Sequence, residues 1–205
     1  MSGLAGRFIV FEGGEGSGKS TQAALLAARM GAVLTHEPGG TEVGERLRAI
    51  VLDQGVGTAL DARAETLLMA ADRAQHVAEV IGPALARGDD VVSDRFSGSM
   101  LAYQGHARGL DVDELSRLSL WASGGLEPDV VILLDVPGEV AVARMTGDFD
   151  RMEAAGEDFH RRVAEGYRAL AGADPDRWRV VDGSGTIEEV EARVTAGLAS
   201  VLGST

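Results

Sequence analysis

Apolar residues in this chain fall in short dense runs separated by longer stretches with helical periodicity. Five runs, at 7–11, 32–35, 90–94, 129–135 and 179–181, are each built around Val, Ile, Leu or Phe. Such runs predict strands buried on both faces. Helices are predicted at 21–28, 41–52, 61–81, 97–104, 111–122, 138–145, 156–171 and 187–202. Asp61 is the expected N-cap of the third helix, and Pro83 marks a new helical start. The helix at 41–52 carries Val43, Leu47, Ile50 and Val51 on one face, and Gly55-Val56-Gly57 breaks it. Strands alternating with helices imply an α/β fold with a parallel sheet covered on both sides. Neither repeat, linker nor low-complexity run interrupts the pattern, so residues 1–205 are expected to form one domain.

Composition narrows the class. Hydrophobic residues are 45% and charged residues 25%, ordinary for a globular protein in water. Cysteine is lacking, which removes disulfides and thiolate metal sites. No apolar run reaches the roughly 18 residues of a membrane span, and the residues before the first strand are too few for a signal peptide. Cytoplasmic location is the expectation. A net charge of −13 argues against a nucleic-acid polymer as partner, because that affinity comes from a basic face neutralising phosphates.

The chemistry begins at Lys19. Eighteen of the nineteen cationic side chains are Arg, and the single Lys sits in Gly13-Gly14-Glu15-Gly16-Ser17-Gly18-Lys19-Ser20. This segment satisfies G-x-x-x-x-G-K-[ST] between a predicted strand and a predicted helix, the setting in which backbone N–H groups and a helix N-terminus cradle phosphate. A compact ammonium on a flexible stem reaches between nucleotide phosphates where a planar guanidinium does not. The loop implies a nucleotide but leaves the reaction open. A GTPase needs an Asn-Lys-x-Asp signature, and the chain contains no Asn and no second Lys. An ABC-type ATPase is hinted at by Ser123-Gly124-Gly125, but the spacing to the next strand is too short and Val136 stands where Glu is needed. Small P-loop kinases remain. If the acceptor is itself a phosphate, no base is required, but two anions must meet. Each unit-charge pair at about 4 Å costs roughly 1 kcal/mol in water and about 4 at an effective dielectric of 20. Such a site needs cations, and Arg48, Arg73, Arg95, Arg144 and Arg151 all fall in loops or near helix ends.

Further segments carry a resemblance that runs nearly end to end. They are Phe11 to Ser20; Glu37-Pro38-Gly39-Gly40-Thr41; Arg48; Ala71-Asp72-Arg73-Ala74-Gln75-His76; Ser93-Asp94-Arg95-Phe96; Ala102-Tyr103-Gln104-Gly105; Asp150-Arg151-Met152-Glu153; and Phe159 with Tyr167. In this order and spacing the chain resembles the thymidylate kinases, nucleoside monophosphate kinases of the bacterial type with a lid arginine. The resemblance implies a P-loop nucleoside monophosphate kinase fold, with a five-stranded parallel sheet, helices on both faces and a short lid at 144–153. It implies ATP and Mg²⁺, and dTMP phosphorylated to dTDP for dTTP synthesis.

The same resemblance distributes roles. Gly13, Gly14, Glu15, Gly16, Ser17, Gly18, Lys19, Ser20 and Thr21 hold the donor phosphates, and Asp182-Gly183-Ser184 packs against adenine. Ser20 and Asp94 serve Mg²⁺. Glu15 meets the acceptor sugar, and Arg95 and Arg48 its phosphate. Arg73 faces the pyrimidine O4, with Ser99 and Gln104 along the other base edge. Glu37, Pro38, Met69, Met100, Tyr103 and Tyr167 complete the acceptor site. Met69 stands where relatives usually carry a stacking Phe, and both methionines keep the pocket apolar. Position 16 is Gly where another type carries Arg, so the lid must supply the catalytic arginine, either Arg144 or Arg151. A homodimer through the helices after the second and third strands is also implied. Two other readings stay open: a P-loop kinase for a different small acceptor, and a nucleotide-binding regulator without turnover.

Overall fold

The computed structural model describes residues 6–53, 60–145 and 150–202. The predicted break at Gly55-Val56-Gly57 and the 146–149 part of the predicted lid lie outside the described residues. The five predicted strands form, within a residue or two, β1 (Phe8–Glu12), β2 (Val33–His36), β3 (Val91–Asp94), β4 (Val130–Asp135) and β5 (Trp178–Asp182). They make one sheet in the order β2-β3-β1-β4-β5, and every pairing is parallel. Right-handed crossovers require helices on both faces, which explains why β1, the central strand, is buried at all its positions. Ile9 and Phe11 pack on one face with Leu26, Val190, Val194 and Leu198. Phe8 and Val10 pack on the other with Ile81, Ala84 and Phe96.

Helices follow as α1 (Lys19–Met30), α2 (Glu42–Leu52), α3 (Ala62–His76), α4 (Gly82–Arg87), α5 (Ser97–Met100), α6 (Val112–Ala122), α7 (Gly138–Arg144), α8 (Glu157–Ala173) and α9 (Ile187–Leu202). Asp61 caps α3 by accepting from the Arg63 N–H, as expected. Two widened π-type turns, Val77–Ile81 and Leu101–Ala107, extend α3 and α5. Among the described residues, no helix is long and apolar enough to cross a membrane. The predicted apolar face of α2 is only partly internal. Val51 is buried, but Val43 and Ile50 are exposed, as are Leu67 of α3 and Leu120 and Trp121 of α6.

A parallel sheet brings all strand C-termini to one edge, where ligands bind in open α/β folds. The loop after β2 is anchored at that edge from beneath. Glu37 accepts two hydrogen bonds from Arg73 and one at 3.1 Å from His76 Nδ1, while Asp72 Oδ1 accepts from the Gly39 N–H at 3.0 Å. A Cβ at Gly44 would stand 2.5 Å from that Asp72 oxygen, so glycine is what lets α2 approach α3 here.

Asp72 is buried, and its second oxygen has no hydrogen-bond partner. Burial and then the Glu37 charge push its carboxyl up to about 6. A carboxyl raised on folding stabilises most below its unfolded value, and that contribution is lost as pH rises through 6. Asp72→Asn keeps an acceptor for Gly39 and cannot ionise. The melting temperature of this variant relative to the parent should rise between pH 4 and pH 7 and level off above. The change corresponds to on the order of 1–3 kcal/mol at about 2–4 °C per kcal/mol. Calorimetry across that range checks it, and a pH-independent difference would contradict the assignment.

Candidate active site

The loop joining β1 to α1 wraps a helix N-terminus that no side chain caps. Gly18, at φ 92, is the N-cap, and α1 has no acid in its first turn. Its first N–H groups and positive end are therefore left for an anion. Lys19 is nearly buried and folds back to donate to the Gly14 carbonyl at 2.7 Å. Burial, then the neighbouring Arg95 charge, lowers its pKa. Ser20 Oγ donates to Asp94 Oδ2, while Asp94 Oδ1 is buried with no hydrogen-bond partner. A hydroxyl beside a carboxylate with a spare oxygen is a hard-oxygen pair that fits Mg²⁺, which takes few protein ligands and completes its shell with water and phosphate.

Position 16 has its own steric reason to be glycine. Its φ is 69, and a Cβ there would lie 2.3 Å from the Ala141 carbonyl oxygen of α7. An arginine at this point of the loop is incompatible with α7 where it lies.

Arg95 follows β3 at φ 73, the one non-glycine left-handed residue among those described. That conformation costs on the order of 1 kcal/mol or more and is held by surrounding contacts. The Arg95 N–H donates to the Phe11 carbonyl at 2.8 Å, and Ser93 Oγ donates to the Arg95 carbonyl at 2.7 Å. The resulting turn sends the guanidinium to Glu15, the Gly13 carbonyl, Ser99, Tyr103 and Tyr167. Burial pushes the Glu15 carboxyl up, but Arg95 and Lys19 outweigh it and hold it near 2. Glu12 braces the turn from beneath. Its carboxylate accepts from the N–H groups of Phe96 and Ser99 and from the Ser99 and Tyr167 hydroxyls, at 2.6–3.0 Å. Burial pushes the Glu12 carboxyl up, and the Ser99 hydroxyl is the main opposing influence.

Two cavities meet at Glu15. The first has Pro38, Val51, Leu52, Met69 and Met152 as apolar walls, with Arg48, Arg95, Ser99, Tyr103, Gln104 and Asp150 as polar ones. Arg48 reaches across it to donate to the Pro38 carbonyl at 2.8 Å. The second runs along residues 15–22 to Arg144, Gly183, Gly185, Thr186, Ile187 and Val190. A third space between them is lined by Lys19, Ser20, Glu37, Arg48, Asp94 and Arg95.

Several expected site residues stand elsewhere. Arg73 and Met100 do not line the first cavity; both are fully buried. The Arg73 guanidinium is committed to Glu37 and Ser119 and lies over the Phe96 ring. An arginine so deep needs its carboxylate, and α3 carries both it and the cavity-facing Met69. Tyr167 is also buried, behind Arg95, where it supports rather than lines. Of Asp182, Gly183 and Ser184, only Gly183 lines the second cavity, because Asp182 turns outward to accept from the Ser184 N–H at 2.9 Å. The two lid candidates separate. Arg144 donates to the Gly183 and Gly185 carbonyls beside the second cavity. Arg151 donates to the Val51 carbonyl and to Glu65 beside the first. Sequence reasoning gave no role to Glu12, Val51, Leu52, Glu65 or Met152. Glu12 adjoins the phosphate loop and Glu65 lies two turns before Arg73, but neither spacing announces a role.

Comparisons with known proteins identify the family. The thymidylate kinase family model matches residues 11–194. The chain is 49% identical over 201 residues to a thymidylate kinase of Leifsonia xyli subsp. xyli, covering 94% of each. It is 48% identical over 192 residues to that of a Synechococcus strain, covering 91% of each. The crystal structure of thymidylate kinase from Ehrlichia chaffeensis superposes with a TM-score of 0.77 at 31% identity, covering 95% of this chain and 98% of that one. With its phosphate loop, its paired cavities and these relatives along nearly its whole length, the chain belongs to the thymidylate kinase family.

Proposed function

We propose that this chain transfers the terminal phosphoryl group of ATP to dTMP, giving dTDP and ADP, as one domain with a lid at 144–153. The observation that carries the reading is the pair of cavities sharing Glu15, one along the phosphate loop and one half apolar, with Lys19, Asp94, Arg95 and Arg48 around the space between them. One phosphorus–oxygen bond of ATP breaks, and one forms to an oxygen of the acceptor phosphate. That oxygen carries no proton at neutral pH, so no side chain need act as base.

In this mechanism the loop from Gly13 to Thr21 holds the donor phosphates through backbone N–H groups. Lys19 exchanges the Gly14 carbonyl for phosphate oxygens. Ser20 and Asp94 would hold Mg²⁺, which supplies charge neutralisation to the transferring group when bound. Arg95 and Arg48 take the acceptor phosphate. Glu15, released from Arg95 by the stronger claim of that phosphate, turns to the sugar hydroxyl. Met69, Val51, Leu52 and Met152 enclose the 5-methyl group. Gln104, whose Oε1 has no hydrogen-bond partner, accepts from the pyrimidine N3–H. Arg73 orients Glu37 and the Pro38 loop from behind. A nucleotide-binding regulator has no use for this convergence of cations on the space between two cavities.

Exposed apolar side chains on α2, α3 and α6, with Trp121 at 79% relative exposure, favour a homodimer through these helices. Exposed hydrophobics clustered in this way mark an interface. The cytoplasm, where nucleotides are made, is the proposed location.

Assayed by ADP release over a panel of nucleoside monophosphates, dTMP should be used best and dCMP should be rejected more firmly than dUMP. A methyl in an apolar pocket is worth only about 10–200-fold, whereas a mismatched polar edge leaves groups unpaired. In the same assay Lys19→Met should abolish transfer while the circular dichroism spectrum is retained. Equal kcat/KM for dTMP and dCMP, or a variant with most of its kcat, would sink the reading.

Arg144→Ala and Arg151→Ala should separate donor-side from acceptor-side roles. The arginine that meets developing charge on the transferring group should lose about 10²–10³ in kcat, the scale of one preorganised donor. The other should act mainly on KM, for ATP if it is Arg144 and for dTMP if it is Arg151. Both variants keeping kcat within a few-fold would exclude a lid-arginine mechanism here.

Sedimentation velocity should give a dimer, and Trp121→Glu should weaken it without changing the melting temperature of the monomer. A monomer at micromolar concentration would remove the dimer proposal.

A further inference from the structure

Gln104 poses a problem that its own chemistry does not solve. A carboxamide offers a carbonyl at one end and an NH₂ at the other, and a half-turn about its last bond exchanges them. A free Gln beside a pyrimidine edge would accept from an N3–H in one orientation and donate to a bare N3 in the other. It would read both kinds of base.

In this protein the orientation is imposed. Glu65 of α3 is 1% exposed, and its Oε1 accepts from Gln104 Nε2 at 2.8 Å. Its Oε2 accepts from Arg151 and, at 3.2 Å, from Arg108. A carboxylate flanked by two guanidinium groups only accepts, so the Gln104 NH₂ must face it. The opposite end, Oε1, is buried and has no hydrogen-bond partner, on a side chain that lines the first cavity. Leaving such an acceptor unmatched is costly, so it awaits a donor. Through Arg151 the same carboxylate touches the segment expected to close over the substrate.

We infer that Glu65 is the positioning residue for base selectivity, because it locks Gln104 as an acceptor and thereby restricts the site to pyrimidines that carry a hydrogen on N3. This rests on the proposed phosphorylation of dTMP. Gln104 meets the base, and Glu65 acts only through it.

The test uses the full chain and compares kcat/KM for dUMP and dCMP, which share the lack of a 5-methyl group and differ at N3 and C4. In Glu65→Gln the neighbour is itself an amide that accepts or donates, and Gln104 is free to turn. The dUMP-to-dCMP ratio should fall by about tenfold to a hundredfold, the scale of one unsatisfied buried polar group. If this variant does not fold, Glu65→Met combined with Arg108→Met removes the carboxylate together with a guanidinium it would leave unpaired. Arg151 keeps the Val51 carbonyl as acceptor in this double variant, and the ratio should fall in the same way. Gln104→Leu should abolish the ratio's dependence on residue 65 when the two changes are combined. A purely structural Glu65 would lower activity toward dUMP and dCMP equally and leave the ratio unmoved, which would overturn the inference while the parent still preferred dTMP. A parent with no activity on dTMP would overturn both this inference and the function on which it rests.

Discussion

The site depends on one half-buried guanidinium, that of Arg95. Arg95 stands in a left-handed turn at the end of β3, and the groups around it exist in this arrangement because it must be neutralised and held. Glu15 supplies the opposite charge, and the hydroxyls of Ser99, Tyr103 and Tyr167 and the Gly13 carbonyl supply the acceptors. Glu12 then fixes Ser99 and Tyr167, which ties the turn to α5 and α8. A cation prepared in this way loses little on exchanging a carboxylate for a phosphate. It gives up one anion and gains another, with the other contacts already in place. The preorganisation comes from the protein before any substrate arrives, which is the condition under which electrostatic stabilisation is most effective.

The rest of the charge is arranged so that each cation has a provisional partner. Lys19 lies on Gly14, Arg48 on Pro38, Arg144 on Gly183 and Gly185, and Arg151 on Glu65 and Val51. A cluster of bare cations would repel and destabilise the edge of the sheet. Backbone carbonyls satisfy the donors without a negative charge that a phosphate would have to displace. Glu15, the partner of Arg95, and Glu65, a partner of Arg151, are the carboxylates of this set; Glu15 lines the first cavity and Glu65 holds Gln104, which lines it too. The glycine at position 16 belongs to the same design, because α7 approaches the loop so closely that no side chain fits there.

Much of this was legible from the chain alone. The inner strands β3, β1 and β4 were marked by apolar runs because a strand inside a parallel sheet has two buried faces; the edge strands β2 and β5 depart from that expectation and leave Leu34 and Val180 exposed. The Asp61 cap and the phosphate loop are local signals whose physics lies within a few residues. Family resemblance at Glu37–Pro38, Asp94–Arg95 and Tyr103–Gln104 pointed to the right edge of the sheet. Depth was not legible. Arg73 and Met100 looked like cavity residues and are fully buried, while Val43 and Ile50 looked like core and are exposed. Periodicity tells which residues share a helix face, but what that face meets depends on elements far away in sequence.

The sequence by itself therefore determined the order of elements, the place of the phosphate loop and the chemical character of the site, because these follow from contacts within a turn or from the buried nature of the inner strands. Only the tertiary structure decided which arginine stands beside which cavity, which carboxylate accepts from Gln104 and which apolar faces remain open. Those outcomes rest on pairs separated by long stretches of chain, such as Glu65 with Arg151 and Glu12 with Tyr167, whose energies depend on distance and burial. Neither quantity exists until the sheet has brought its C-terminal ends together.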